Sequence, residues 1–158
     1  MEMSEANQQQ ATASRPVHPT NKTEKPHFLE YTRNIDDRGC LSALEITEEA
    51  GFEAKRIFWL HELNGSDRGG HAHIDTEQVA ILLQGEMEIK VEHAGLDYSY
   101  QLNNTSRPLY LPKLAWVEMV NISEDSIMII VSSTKYDKSR SLRNYKDYQN
   151  YKESHESD

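Results

Sequence analysis

The chain has 158 residues, a formal net charge of −9 at pH 7 and 37% hydrophobic residues. This length predicts one domain that is large enough to bury most of a core. Acidic residues are spread along the chain without a basic stripe, which argues against nucleic acid as a partner. A single arginine in a cleft could still bind an anionic small molecule. No segment reaches the roughly 18 apolar residues of a membrane span, so we expect no membrane partner.

The first 26 residues predict a disordered N-terminal extension. They are rich in Gln, Ser, Thr and Pro and contain almost nothing that could enter a core. They also lack the continuous apolar stretch of a secretory signal. Cys40 is the only cysteine, so the chain can form neither an internal disulfide nor a cysteine-based zinc site. These features together predict a cytoplasmic protein.

Residues 27–137 predict an all-β domain. Short apolar runs alternate with turn segments such as NGSDRGG and HAGLD, which gives about eight to ten strands. The run EMEIKVEH has the clearest period of two, with Met87, Ile89 and Val91 on one face and charged residues on the other. Many short strands at this spacing predict a sandwich or barrel, and the mouth of a barrel is the natural place for a small-molecule site.

Residues 138–158 differ in character from the strands before them. Tyr145, Tyr148 and Tyr151 recur at spacings of three between charged residues. This pattern predicts a short helical or irregular C-terminal tail laid on the sandwich. Tyrosines in such a stripe are typical of packing or surface positions.

The stretch DRGGHAHIDTEQ, residues 67–78, contains the strongest candidate site. Strand alternation puts His71 and His73 on the same face, with their Cα atoms about 7 Å apart. Gly65 precedes the pair by the spacing G-x5-H-x-H, and Gly85 follows about a dozen residues later. This arrangement resembles the first motif of the cupin superfamily, in which the two histidines and a following acid bind a metal.

Only part of the cupin metal-ligand set is present in the sequence. The two places open to the acid hold Glu77 and Gln78, and the usual spacing back from the next glycine selects the amide. An amide oxygen is a poorer ligand than a carboxylate for most transition metals. The second cupin motif has its match in PKLAWVEMVN, where Val117 takes the place of the remaining histidine. We therefore expect neither a metal nor another cofactor.

Two imidazoles on one face of a pocket suit proton transfer when no metal is bound. A histidine whose pKa lies near neutrality can take up a proton in one step and return it in the next. This capacity fits an isomerisation next to a carbonyl group, through an enediol or enediolate intermediate.

Blocks within residues 28–150 resemble the WxcM-like or FdtA-like sugar-nucleotide 3,4-ketoisomerases of the cupin superfamily. In chain order these blocks are DDRGCLSALE, FEAKRIFW, DRGGHAHIDTEQ, LQGEMEI, LYLPKLAW, SEDSIMIIVSSTKYD and LRNYKDY. The resemblance implies a double-stranded β-helix, or jelly roll, that forms a homodimer. It also implies an isomerase that moves the keto group of a dTDP-linked 4-keto-6-deoxyhexose from C4 to C3, in the biosynthesis of 3-amino sugars for surface polysaccharide.

The resemblance also assigns roles to individual residues. His71 and His73 match the catalytic histidines, of which one removes the C3 proton and the other helps to pass protons between the two oxygens. The implied substrate-binding residues are Arg38, Arg68, Gln78 and Trp116. The two arginines suit the nucleotide phosphates, and the glutamine suits a hydrogen bond to the sugar or to His73.

The chain departs from the family pattern at three places. Phe58 stands where a tyrosine is common, Val117 stands where a histidine commonly follows the tryptophan, and YDKSRSLRNY replaces the form Y-D-E-x-D-Y-I-R. These losses of polar groups motivate a non-catalytic sugar-nucleotide-binding protein as the alternative. A metal-dependent cupin oxygenase and a 3,5-epimerase are two further alternatives.

Overall fold

The computed structural model describes residues 24–156. The extension predicted for residues 1–26 lies outside the described residues except for its last three, which have no regular secondary structure. Within the described part of the chain, no helix is long and apolar enough to cross a membrane.

Ten strands form two antiparallel five-stranded sheets, and a further pair of strands forms a separate hairpin. In chain order the strands are β1 (His27–Phe28), β2 (Thr32–Asp36), β3 (Gly39–Ala43), β4 (Arg56–Leu60), β5 (Arg68–His73), β6 (Gln78–Gln84), β7 (Glu86–His93), β8 (Leu96–Asn103), β9 (Leu109–Leu111), β10 (Trp116–Val120), β11 (Ile127–Ser132) and β12 (Ser141–Leu142). Sheet 1 has the order β1-β9-β6-β11-β4, and sheet 2 has the order β12-β5-β10-β7-β8.

The main core lies between the two sheets. The period of two predicted for β7 is confirmed, since Met87, Ile89 and Val91 are all buried. They belong to the same apolar cluster as Met128 and Ile130 of β11, which lies in the opposite sheet. Because burying one such side chain is worth about 1.5–3 kcal/mol, this cluster is a major source of stability. The predicted all-β sandwich is therefore confirmed.

The β2–β3 hairpin stands apart from both sheets. Among residues 24–156 its strands pair only with each other, through a turn at residues 37–38, and all their residues are exposed. A single-turn helix, α1 (Ile46–Ala50), follows the hairpin and ends at Gly51, whose φ of 75° suits a glycine.

The C-terminal segment packs onto sheet 2. A turn of 3-10 helix, Lys138–Arg140, leads into β12, which pairs with the edge of β5. Helix α2 (Tyr145–His155) follows, and the side chain of Asn144 caps it by accepting from two backbone N–H groups of its first turn. Tyr148 is fully buried against the outer face of sheet 2. The predicted helical tail is therefore an integral layer of the fold.

Candidate active site

Strand β5 carries both histidines, and a glycine allows it to pass close to β10. Gly69 has a φ of +84°, and a Cβ at this position would lie 2.5 Å from the carbonyl oxygen of Val117. The register between the two strands shifts beside Val117, as expected for a β-bulge. Alternation beyond the bulge directs His71 and His73 into the interior, while Ala72 between them is buried beneath α2.

The two histidines line a cavity of about 110 Å³, here called the inner cavity. Their ring centroids are 4.9 Å apart, and the planes meet edge to face at 73°. The other polar side chains in the wall are Arg68, Thr76 and Gln78. The apolar wall consists of Phe58, Leu60, Leu111, Pro112, Ala115, Val117, Met119 and Ile130. An apolar cavity with a few convergent polar groups is typical of a small-molecule site.

A second cavity of about 350 Å³, the outer cavity, opens beside the inner one. The residues common to both cavities are His73, Thr76 and Gln78. The remaining lining is Arg56, Asp75, Ser132, Thr134, Lys135, Tyr136, Asp137 and Arg140. The Arg56 guanidinium lies 4.5 Å from the ring centroid of Phe58 and 4.9 Å from that of Tyr136, so the two rings hold it in place. The largely apolar inner cavity therefore adjoins a charged outer cavity.

Burial lowers the pKa of both imidazoles below the ordinary value of 6.5. The pKa of His73 falls to about 4, first through burial and then through charge interactions with His71, Arg56 and Arg143. The pKa of His71 is lowered by burial and by Arg143, while a hydrogen bond to the backbone of Gly69 opposes this shift. Both rings are therefore neutral at pH 7, and each can accept a proton.

Hydrogen bonds orient two of the side chains at the site. His73 Nδ1 lies 3.1 Å from the hydroxyl of Ser141, which stands opposite His73 in the pairing of β12 with β5. Gln78 Nε2 donates to the hydroxyl of Ser132 at 3.2 Å. The C-terminal segment thus contributes directly to the site.

Ser141 and Arg56 are among the residues at the site for which the sequence predicted no role. A lone serine in a polar segment carries no sequence signal, because only the pairing of β12 with β5 brings it to His73. The arginine did carry a signal. It alternates with Phe58 and Leu60 in β4, and these two residues line the inner cavity, so a charged residue on the inward face could have been noticed.

Four of the six predicted site residues lie together and two lie elsewhere. Those that line the inner cavity are His71, His73, Arg68 and Gln78. Arg38 is at the exposed turn of the β2–β3 hairpin, where it forms an ion pair with Asp36. The resemblance implies that Trp116 binds substrate, and in the structure its side chain is buried against Tyr148 of α2. Neighbours alternate along a strand, so Val117 faces the cavity and the tryptophan faces away from it.

The side chains at the site do not make up the ligand set of a cupin metal centre. Val117 lies directly opposite His71 in the pairing of β10 with β5, where a third imidazole would be needed. Glu77 is buried away from both cavities, and its carboxylate accepts a hydrogen bond of 2.7 Å from the hydroxyl of Tyr110. Among residues 24–156, no three His, Cys, Asp or Glu side chains are grouped to hold a metal ion. The chemistry that these side chains support is proton transfer.

Comparison with known proteins identifies the family. The family model for FdtA, described as WxcM-like, C-terminal, matches residues 24–153. A TDP-4-oxo-6-deoxy-alpha-D-glucose-3,4-oxoisomerase from Aneurinibacillus thermoaerophilus is 29% identical over 124 residues, which is 78% of this chain and 89% of that protein.

Solved structures of 3,4-ketoisomerases superpose along most of both chains. The enzyme from Helicobacter canadensis has a TM-score of 0.75 and 31% identity, covering 85% of this chain and 98% of its own. A mutant of QdtA from Thermoanaerobacterium thermosaccharolyticum, in complex with TDP-4-keto-6-deoxyglucose, has a TM-score of 0.76 and 25% identity, covering 82% of this chain and 95% of its own. The predicted cupin fold is confirmed, and the chain belongs to the FdtA family of WxcM-like, C-terminal proteins.

Proposed function

We propose that this protein is a sugar-nucleotide 3,4-ketoisomerase that converts a dTDP-linked 4-keto-6-deoxyhexose into its 3-keto isomer. One observation carries the proposal. The neutral imidazoles of His71 and His73, with their ring centroids 4.9 Å apart, line a cavity whose other walls are largely apolar. The substrate class is supported by membership of the family and by the oxoisomerase among its relatives.

The isomerisation moves one hydrogen from C3 to C4 and one proton from the C3 oxygen to the C4 oxygen. One imidazole removes the C3 proton, and the electron pair of that bond forms an enediolate whose charge lies on the C4 oxygen. The C3 hydroxyl then loses its proton as the C4 oxygen gains one, and protonation of C4 yields the 3-keto sugar. The sugar neither gains nor loses electrons overall, and two neutral imidazoles can both accept and return these protons.

The two cavities suit the two halves of a sugar nucleotide. The sugar would lie in the inner cavity beside the histidines, with its 6-methyl group against the apolar wall. The diphosphate would lie in the outer cavity, where Arg56 and Lys135 offer positive charge. The phosphate contacts expected of Arg38 and Arg68 stay predictions, as do the cytoplasmic location and the part in polysaccharide biosynthesis.

The exposed apolar surface supports a homodimer, which is the second part of our proposal. A two-stranded hairpin is only marginally stable by itself in water, yet β2 and β3 stand apart and expose Ile35 and Leu41. The outer face of sheet 1 exposes Ile57, Trp59 and Leu83. A second copy fits this surface, because a two-fold interface would let each hairpin cover apolar area on its partner.

A turnover assay tests the proposed function. Purified protein incubated with a panel of dTDP-4-keto-6-deoxy sugars should form 3-keto products that NMR identifies, and His71→Asn and His73→Asn should each lower the rate at least about 100-fold. A non-catalytic binding protein would instead bind these nucleotides in calorimetry without turnover, and its affinity would survive His71→Asn. Inversion at C3 and C5 with the keto group still at C4 would indicate an epimerase.

A further inference from the structure

Ser141 is held against β5 by strand pairing of Ser141 and Leu142 and by contacts of the preceding residue, Arg140. It lies opposite His73 in the β12–β5 pairing, and the backbone N–H of Ile74 donates to the carbonyl of Arg140 at 3.0 Å. The Arg140 side chain also forms an ion pair with Asp75, with 2.5 Å between Nε and Oδ2. The serine hydroxyl is therefore presented to the imidazole from a backbone whose register is fixed.

The partner of each ring nitrogen decides what the imidazole can do. The His71 ring shares a hydrogen bond with the backbone of Gly69 that raises its pKa, as expected when a ring N–H donates to a carbonyl, and this leaves the other ring nitrogen free to accept a proton. For His73 the partner of Nδ1 is the Ser141 hydroxyl, 3.1 Å away. Within residues 24–156, Nε2 of the same ring makes no hydrogen bond, although His73 lines both cavities.

We propose that Ser141 is a positioning residue for the isomerisation: its Oγ accepts a hydrogen bond from Nδ1–H of His73 and thereby leaves Nε2 as the nitrogen that exchanges protons with the sugar oxygens. This inference rests on the proposed ketoisomerase function. When Nε2 takes the proton of the C3 hydroxyl, the ring becomes cationic and the bond from Nδ1–H to the serine becomes charge-assisted and stronger. Delivery of that proton to the C4 oxygen restores the neutral ring, so the proton count balances.

Substitution of Ser141 tests the positioning role in turnover. Ser141→Ala removes the acceptor but keeps the backbone pairing, and we expect kcat to fall about 10- to 100-fold while KM changes by less than about twofold. Ser141→Thr keeps the hydroxyl and should restore kcat to within about threefold of the parent protein. Ser139→Ala is the matched control, because its hydroxyl bonds to Asp137 in the same segment and does not touch an imidazole.

The tautomer of His73 gives a readout that needs no substrate. Long-range ¹H–¹⁵N spectra of the ligand-free protein should show the proton on Nδ1 of His73 in the parent chain and in Ser141→Thr. In Ser141→Ala the His73 signals should move toward the Nε2–H form or an average of the two, while those of His71 stay in place. This result can hold even where the turnover assay detects no isomerase activity, so failure of the proposed function and failure of this inference are distinguishable.

Three results would each overturn the inference. The first is a parent protein whose His73 carries its proton on Nε2. The second is a Ser141→Ala protein with parental kcat and an unchanged His73 spectrum. The third is a folded Ser141→Thr protein that turns over as slowly as Ser141→Ala, since packing and not the hydroxyl would then matter. If Ser141→Ala does not fold, the parent spectrum and Ser141→Thr still decide the question.

Discussion

The two histidines of β5 acquire their chemistry from their surroundings. In water an imidazole titrates near pH 6.5, but burial between the sheets and nearby arginines hold the pKa of both rings lower. Arg56 and Arg143 oppose a positive charge on His73, while the same cations would stabilise a negative enediolate. The site thus keeps its proton acceptors free at neutral pH and favours charge on the sugar oxygen, where the proposed reaction develops it.

These pKa shifts predict how the rate depends on pH. A group with a lowered pKa stays deprotonated as the pH falls through 6.5, so both bases remain active there. We therefore expect kcat/KM to hold steady just below pH 6.5 and to fall only as the pH approaches the lowered pKa values, which for His73 means about 4. A pH–rate profile at low substrate concentration checks this. An acid limb centred at 6.5 or higher would contradict the proposal that these two buried histidines are the bases.

Glu77 illustrates a residue whose surroundings give it a structural role. Its carboxylate accepts a hydrogen bond from the hydroxyl of Tyr110, and both residues are buried. Tyr110→Phe therefore leaves that carboxylate with one hydrogen-bond donor fewer. We expect the free energy of unfolding to fall by about 1–3 kcal/mol in urea titrations, with kcat unchanged. Tyr98→Phe is the control, because the Tyr98 ring stacks on Tyr100 and its hydroxyl takes part in no hydrogen bond among residues 24–156. A large loss of activity in Tyr110→Phe would instead place Glu77 in the catalytic machinery.

At the scale of elements, the predictable features were those with local patterns. The period of two in β7 and the His-x-His spacing in β5 can be seen in the sequence because alternation alone decides which residues share a face. The direction in which Trp116 points depends on the register of β10 against β5, which a bulge shifts. The strand β12 has only two residues, and it exists because it pairs with β5. Neither feature has a local signal.

The bulge at Gly69 gives a prediction for strand β5. Gly69→Ala would bring a Cβ within 2.5 Å of a carbonyl oxygen at a positive φ, so the strand must shift. Gly70→Ala is a matched control, since Gly70 also has a positive φ, +72°, but has nothing within 4 Å of the added Cβ. In urea titrations we expect Gly70→Ala to cost about 1–2 kcal/mol from backbone strain, and Gly69→Ala to cost a further 1–3 kcal/mol or so from the clash. Equal losses in the two variants would contradict the close approach of β5 to β10.

At the scale of the whole molecule, the chain is negatively charged, whereas the charged side chains that line the outer cavity are mostly basic. The chain carries −9, yet the outer cavity gathers Arg56, Lys135 and Arg140 against two acids. Composition excluded nucleic acid as an expected partner but could not locate this cationic cavity, because its residues come from separate parts of the chain. Long-range pairing of strands brings them together beside His73.

The proposed homodimer predicts an effect of surface charge on assembly. Trp59 is 59% exposed on the outer face of sheet 1, so Trp59→Glu should place a charge in the interface and give a monomer in sedimentation velocity runs. Leu96→Glu is the matched control, because Leu96 is equally exposed, at 59%, but belongs to sheet 2. The parent protein and Leu96→Glu should both remain dimeric. A parent protein that is monomeric at micromolar concentration would contradict the dimer.

The most direct test of the central claim, that His71 and His73 isomerise a 4-keto sugar nucleotide by proton transfer, is ¹H NMR of the reaction in D₂O. With TDP-4-keto-6-deoxyglucose, the parent protein should produce the 3-keto sugar with deuterium at C4, since a proton held on an imidazole exchanges with solvent. The two His→Asn variants should bind the nucleotide and leave it unchanged. Recovery of unchanged sugar from the parent protein, or deuterium at C5 without a 3-keto product, would contradict the claim.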